Sequence, residues 1–520
     1  MPVSGPWASL APYPKHHVSD FLRDSAEQYG DKPALIGPDE KEYSFREVWE
    51  ASRKIARMLQ DAGVRKGQAV GIFSPNCAEY GPALHGILLA GGMATTINPL
   101  YRERELVHQL HDAQAVACFV ARPLVPLLDT ARHDVPSLRH VYVLGDLWEM
   151  AREVSAEPEP VELDYEEDVA VLPYSSGTTG LPKGVMLTHY NLTSNLRQVM
   201  ATGLVKTGEA VFLDFLPFYH IYGLSILLNA GLYAGATQVI LPRFDPEVTL
   251  HLIEKYRVSD LFVVPPALLA LVHFSGAEKF DTSSLRYILS GAAPLPPEVG
   301  IQAGRRYGCA ILQGYGLTET SPTTNSNPLE RVKMTSVGPP VADTLEKIVD
   351  MESGEELPVG EVGELLVYGP QVMRGYWRRP DATAETITED GWLRTGDVAR
   401  MDEDGYVYIL DRIKEMIKYK GYQVAPAELE AVLMEHPDVR DAAVVPQPHF
   451  ESGERPKAFV VLREGSQVSE EALMQFVAER VAPYKKVREV EFVEAVPKNP
   501  SGKILRRDLI ERERAKHGSG

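Results

Sequence analysis

Between Ala69 and Gly316 the chain returns nine times to a short, unbroken apolar run, each followed by a stretch long enough to be a helix. The runs are AVGIFS (69–74), VACFV (116–120), HVYVL (140–144), VAVLPY (169–174), VFLDFL (211–216), QVILP (238–242), LFVVPP (261–266), RYILSG (286–291) and CAILQGYG (309–316). A strand that faces water on one side alternates apolar with polar residues, whereas these runs do not. They therefore predict sheets covered on both faces by helices, which is the α/β class with mainly parallel pairing. Clusters of Gly, Ser, Thr and Pro follow VAVLPY, RYILSG and CAILQGYG, at the carboxyl ends of strands where open α/β sheets place their ligands.

At 520 residues the chain exceeds one ordinary domain. The pattern changes after residue 410. A helix is expected over 426–436, with Pro426 in its first turn and Leu429, Val432 and Leu433 on one face. Another follows Ser469, with Glu470 and Glu471 in its first turn and Leu473, Phe476 and Val477 as its buried stripe. The reading is a large, multi-sheet N-terminal domain over 1–410 and a small α+β domain over 411–520, with a hinge near Asp411.

Charge and composition exclude several classes of function. The chain carries 53 Lys and Arg against 72 Asp and Glu, a net charge of −19, and lacks the basic face that a nucleic-acid binder needs. From Arg412 onward the balance is near neutral, 19 basic against 18 acidic residues. An anionic substrate would depend on a metal ion or on local lysines. Three scattered cysteines, Cys77, Cys118 and Cys309, support neither a disulfide framework nor a zinc site. The uncharged runs 80–101 and 215–242 contain Pro, His, Asn and Gly and read as buried core, not as membrane spans. Peripheral contact with a membrane is left open. The first residues do not read as a secretory signal, and the terminal AKHGSG is not a peroxisomal address, so a cytoplasmic setting is expected.

The most informative segment is Tyr174-Ser-Ser-Gly-Thr-Thr-Gly-Leu-Pro-Lys-Gly-Val185. Hydroxyls and backbone N–H groups from Ser175, Ser176, Gly177, Thr178, Thr179 and Gly180, with the cation of Lys183, make a polyphosphate cradle. The spacing is not that of a P-loop, because Pro182 precedes the lysine and Gly184 follows it.

That segment, with GYGLTET (314–320), GWLRTGD (391–397), DRIKEMIKYKGYQVAPAELE (411–430) and PKNPSGKILRR (497–507), resembles the adenylate-forming superfamily. Its members include acyl-CoA synthetases, 4-coumarate-CoA ligases, luciferases and adenylation domains. The resemblance covers essentially the whole chain. It implies an enzyme that joins a carboxylic acid to AMP with release of pyrophosphate, then passes the acyl group to the thiol of CoA. ATP, Mg2+ and CoA are the implied cofactor and co-substrates.

The resemblance also assigns roles. It implies magnesium binding by Glu319, contact with the α-phosphate region by Thr318 and stacking of adenine on Tyr315, beside Gly316. Gly291, Ala292 and Ala293 would line the adenine and substrate wall. Asp397, completed by Arg412, would take the ribose hydroxyls. Lys503 would serve adenylation, and Lys418 with Gly421 thioester formation, the small domain rotating about Asp411 between the two. His220 would gate the passage between acid and thiol. Tyr222, Gly223, Leu224, Gly291 and Ser321 to Asn325 would line or border the acyl pocket, because they flank these motifs. The favoured substrate is a medium- or long-chain fatty acid. The alternatives are an aryl acid of the 4-coumarate kind, a luciferase-like oxygenase, and a silent nucleotide- or acyl-binding protein.

Overall fold

The computed structural model describes residues 2–175, 182–419, 422–449, 452–481, 483–499 and 502–517. All nine apolar runs contain strands, and they are divided between two eight-stranded sheets. In the first, Val169–Val171, Met93–Ile97, Ala69–Phe73, Ala117–Val120 and His140–Val143 lie side by side in parallel. Lys183–Thr188 extends one edge antiparallel, carrying Tyr174–Ser175 and Gly375–Tyr376. In the second sheet, Ala310–Gly316, Tyr287–Ser290, Asp260–Val263, Val211–Asp214, Thr237–Ile240 and Pro33–Ile36 run parallel. Thr323–Ser326 and Glu42–Ser44 cap its two edges antiparallel.

One apolar cluster spans both sheets, and the helices between them explain the uncharged runs. Tyr80–Leu89 is apolar on every side and nearly fully buried, as a helix between layers must be. The strand Met93–Ile97 that follows is buried at all of its positions. No helix among the described residues is long and apolar enough to cross a membrane.

A third, wholly antiparallel sheet was not foreseen. Its order is Val3–Ser4, Leu345–Val349, Val362–Tyr368, Leu393–Met401 and Val407–Arg412. The last of these strands carries Asp411 and Arg412. The fourth sheet, of Tyr422–Val424, Ile417–Tyr419, Gly453–Leu462, Val439–His449 and Glu489–Phe492, lies wholly after that point and has its own core. The helix foreseen over 426–436 is Pro426–Met434, which buries Leu429 and Leu433. Ser469 caps Glu470–Ala478 by accepting the Ala472 N–H. Leu473 and Val477 are buried there, while Phe476 is half-buried with Arg480 against its ring.

The helix His189–Ala201 ties the sheets together by buried amides. Thr188 and Asn191 form its capping box. Asn191 donates to the carbonyls of Pro370 and Val372, and Gln198 to that of Ala342. Asn195 grips the backbone of Thr323 from both sides, accepting its N–H at 3.0 Å and donating to its carbonyl at 2.8 Å.

Candidate active site

The carboxyl ends of the second sheet, Thr395 with Gly396, and Asn499 with Lys503 line one cavity of about 570 Å³. Asp397 lies just behind that lining, bonded to Tyr315 and Arg412, which do line it. It is buried, with 3% of its surface exposed. Its two oxygens are engaged by different partners: Arg412 Nε at 2.9 Å on Oδ1, and the Tyr315 hydroxyl on Oδ2. Burial pushes its carboxyl up from the ordinary range, while Arg412 and Tyr315 pull it back. Each oxygen keeps a second lone pair, which suits a vicinal diol. The turn that presents Asp397 is itself braced. Thr395 Oγ1 donates to Leu365 O and accepts the Asp397 N–H, and Glu364 accepts the Gly396 N–H while pairing with Arg394 at 2.8 Å. Gly396 sits at φ +68°, where a side chain would be strained.

Lys503 reaches the same cavity from the small domain. The Lys503 N–H donates to Asn499 Oδ1 at 2.8 Å, the Asn499 N–H donates to Lys503 O at 2.9 Å, and Asn499 also lines the cavity. Burial, with the Arg412 guanidinium nearby, lowers the Lys503 ammonium below the usual lysine value. Lys418 is exposed on the strand Ile417–Tyr419, with its N–H bonded to Glu454, and takes no part in the cavity. The two lysines thus lie apart in this arrangement, one facing the nucleotide side and the other facing solvent.

Glu319 lies at the junction of the first and second sheets. Its Oε1 accepts from Ser175 Oγ at 3.2 Å and from the Tyr376 hydroxyl at 2.9 Å. Lys183 lies 5.0 Å from the Tyr376 ring centroid, within cation–π range. Ser175 and Lys183 are register partners, which brings the two ends of the hydroxyl-rich segment together at the cavity. Ser176, Gly177, Thr178, Thr179, Gly180 and Gly421 lie outside the described residues. Among the described residues no group of three or more His, Cys, Asp or Glu could hold a metal. A single carboxylate beside a phosphate site nevertheless fits magnesium, which takes one or two protein carboxylates and completes its shell with phosphates and water.

His220 is half-buried and lines the cavity. Burial holds its imidazole down to about 4, so the ring is neutral at pH 7. Its Nδ1 accepts the Tyr222 N–H at 3.2 Å, which leaves the proton on Nε2. Tyr222 stands against Gly291, where a Cβ would lie 3.0 Å from the Tyr222 ring. Ala292, also on the wall, holds a left-handed backbone at φ +68°, the strained geometry that collects at ligand sites. Gly316 and Thr318 complete this wall.

Of the described residues placed at the site from the sequence, Asp397 and Lys418 lie off the lining, and so do Gly223, Leu224, Ser321 and Ala293. A Cβ on Gly223 would come 2.2 Å from the Pro217 carbonyl oxygen, so this glycine serves backbone packing. Leu224 is wholly buried in the core. Ser321 is buried and donates to the Gln371 carbonyl. Ala293 lies beyond Ala292, off the cavity. Adjacency to a motif misled here, because neighbouring residues point to opposite sides of the wall. Reasoning from sequence also missed Tyr376, Glu364 and Asn499, and the apolar acyl end formed by Val199, Leu204, Val205, Ile226, Phe262 and Leu289. A GEL triplet and an Asn four places before the motif lysine were the only traces of Glu364 and Asn499.

Residues 22–377 match the model of AMP-binding enzymes, and residues 428–503 match that of the AMP-binding enzyme C-terminal domain. The chain belongs to the AMP-binding enzyme family. This AMP-binding enzyme is an AMP-forming acid–CoA ligase. It is 43% identical to a 4-coumarate–CoA ligase of Pinus taeda over 97% of each chain. In structure it resembles the anthranilate CoA ligase AuaEII in complex with anthranoyl-AMP, with a TM-score of 0.90, 29% identity and coverage of 97% and 99% of the two chains. It also resembles ATP-bound MatB from Rhodopseudomonas palustris, with a TM-score of 0.88, 29% identity and coverage of 96% and 99%. The fold agrees with these neighbours.

Proposed function

We propose that this ligase activates an aryl carboxylic acid of the 4-coumarate kind and transfers it to CoA. The fatty acid favoured from the sequence gives way to that alternative. The relatives named above act, by name, on 4-coumarate and anthranilate. A compact acyl end also supports the reading, with the Tyr222 ring against Gly291 and with Phe262 and Leu289 beyond.

The observation that carries the chemistry is the convergence of Lys503, Arg412 and the neutral His220 on one cavity. Bringing a carboxylate to a triphosphate sets anion against anion, so the barrier is largely electrostatic. Asp397 and Tyr315 hold the nucleoside. Lys503 neutralises charge developing on the acid and the α-phosphate as the new P–O bond forms and pyrophosphate leaves. His220 donates its Nε2–H to orient the acid, with no need to remove a proton from it. Glu319 would hold a magnesium ion together with the phosphates, and that charge supplies Lewis-acid stabilisation. In the second half-reaction the thiolate of CoA attacks the acyl carbonyl and AMP leaves. Between the two half-reactions the small domain turns about Asp411 so that Lys418 replaces Lys503. A reducing, cytoplasmic setting suits three free cysteines.

A panel of 4-coumarate, cinnamate, anthranilate, octanoate and palmitate, read first by pyrophosphate release and then by CoA-dependent AMP release, tests the reading. The expected result is turnover of aryl acids at least about tenfold above the fatty acids in kcat/KM. The reverse order would restore the fatty-acid assignment.

A further inference from the structure

Two carboxyl groups share the face of the second sheet that floors the acyl end of the cavity, and their circumstances differ. Asp260 is fully buried, accepting from the Tyr287 hydroxyl at 3.2 Å and from Arg286 at 3.1 Å. Asp214 is also fully buried, yet neither of its carboxyl oxygens has a partner among the described residues. Only its backbone is tied, its carbonyl accepting from Asn76 Nδ2 at 3.1 Å and from the Leu241 N–H at 3.2 Å.

Register fixes where Asp214 lies. Phe212 pairs with Asp260 across parallel strands, and the rings of Phe212 and Phe262 meet edge-to-face at 5.0 Å. Residues two apart on a strand share a face. Asp214 therefore stands level with Phe262 and on the same face, and Phe262 is in turn the register partner of Leu289. Phe262 and Leu289 both line the acyl end. The helical segment Tyr222–Asn229 packs over the strand Val211–Asp214. It brings Ile226 to the cavity and leaves Ser225 Oγ, like Asp214, buried and unpartnered. Asp214 is thus the next position in a row that already borders the substrate space.

Burying a carboxyl with no hydrogen bond costs stability, and an apolar residue would pack there without that cost. Desolvation with no compensating partner pushes the group well above the ordinary carboxyl range, which favours its neutral form. A neutral carboxyl both donates and accepts.

We propose that Asp214 is a specificity residue of the acyl site, whose carboxyl receives a hydroxyl or amine at the end of the acid remote from the reacting carboxylate. That group reaches it past Phe262 and Ile226. The inference rests on the ligase reading and adds to it the demand for a polar group at the far end of the acid.

Matched acids test it: 4-coumarate against cinnamate, and 12-hydroxydodecanoate against dodecanoate. Each is measured by pyrophosphate release with the wild type, Asp214→Asn and Asp214→Leu. The wild type should favour the hydroxylated member by about tenfold or more in kcat/KM, because a site built to bond a hydroxyl rejects the analogue lacking it. Asp214→Leu should bring the ratio close to one by losing the hydroxylated acid selectively, and Asp214→Asn should keep most of it. Asp214→Cys, smaller and weakly polar, gives the same comparison if leucine is not accommodated. The ratio within a pair does not depend on how much protein is folded. A wild-type ratio near one, or a ratio unchanged in Asp214→Leu and Asp214→Cys, overturns the proposal. Turnover confined to the fatty pair would overturn the aryl reading alone, and Asp214 would then be judged in that pair.

Discussion

Lys503 enters a cavity that already holds Arg412, and the cost of burying its charge, added to by that second cation, appears as its lowered pKa. That cost is useful if the incoming acid and phosphate bring negative charge. Lys503→Ala should therefore lower acid-dependent pyrophosphate release by about 10²- to 10³-fold, the usual effect of removing one stabilising donor. Conversion of supplied acyl-AMP to thioester should be nearly untouched. Lys418→Ala should do the opposite, and equal damage to both half-reactions by each variant would defeat the two-lysine division. A depressed ammonium also loses its proton earlier as the pH rises. The alkaline fall in adenylation should accordingly begin below the usual lysine range and move upward in Lys503→Arg, measured by pyrophosphate release across pH. At this scale the sequence motifs spoke clearly for residues with chemistry of their own, Asp397, Glu319, Lys503 and His220. They gave only faint traces of Glu364 and Asn499 and none of Tyr376, which bond those residues or the turns that carry them.

The helix His189–Ala201 shows why such support is hard to read from sequence. Its run of Asn, Thr, Ser and Gln looks like a solvated face, yet Asn191, Asn195 and Gln198 are buried and bonded to three separate segments of the chain. Its later residues Val199 and Thr202, the latter just past its end, form part of the acyl wall, while Asn195 fixes Thr323 on that same cavity. One element thus sets the distance between two parts of the lining. Asn195→Ala should leave two backbone groups of Thr323 unpaired, at about 1–3 kcal/mol of stability. It should also raise the KM for the acid more than that for ATP, and equal changes in both would show that the amide only stabilises the fold. The strands gave the contrary lesson, since unbroken apolar runs located all nine, and only their division between two sheets required tertiary pairing.

Across the whole molecule, three histidines outside the cavity lining join the N-terminal arm to the helices Tyr80–Leu89 and His189–Ala201. The rings of His17 and His189 lie 4.3 Å apart, and His85 bonds Ser19. All three are buried. Burial lowers each of them, His85 to about 3. Each is neutral when folded but takes up a proton near pH 6.5 when unfolded, so the unfolded state binds more protons in acid. Stability should be full above about pH 7 and fall as the pH drops below about 6.5, by up to about 1.4 kcal/mol per unit per histidine. Thermal melting from pH 8 to 5 checks this, and His85→Leu should flatten the slope. The sequence by itself determined the α/β class and the change of pattern near residue 410, and it named the candidate reacting groups, because apolar periodicity and unusual side chains are local properties. The tertiary structure alone decided which of the two lysines meets the nucleotide side, how deep the acyl space runs and which carboxyls are left without partners. Those depend on register and packing between segments hundreds of residues apart, and no local pattern encodes a distance of that kind.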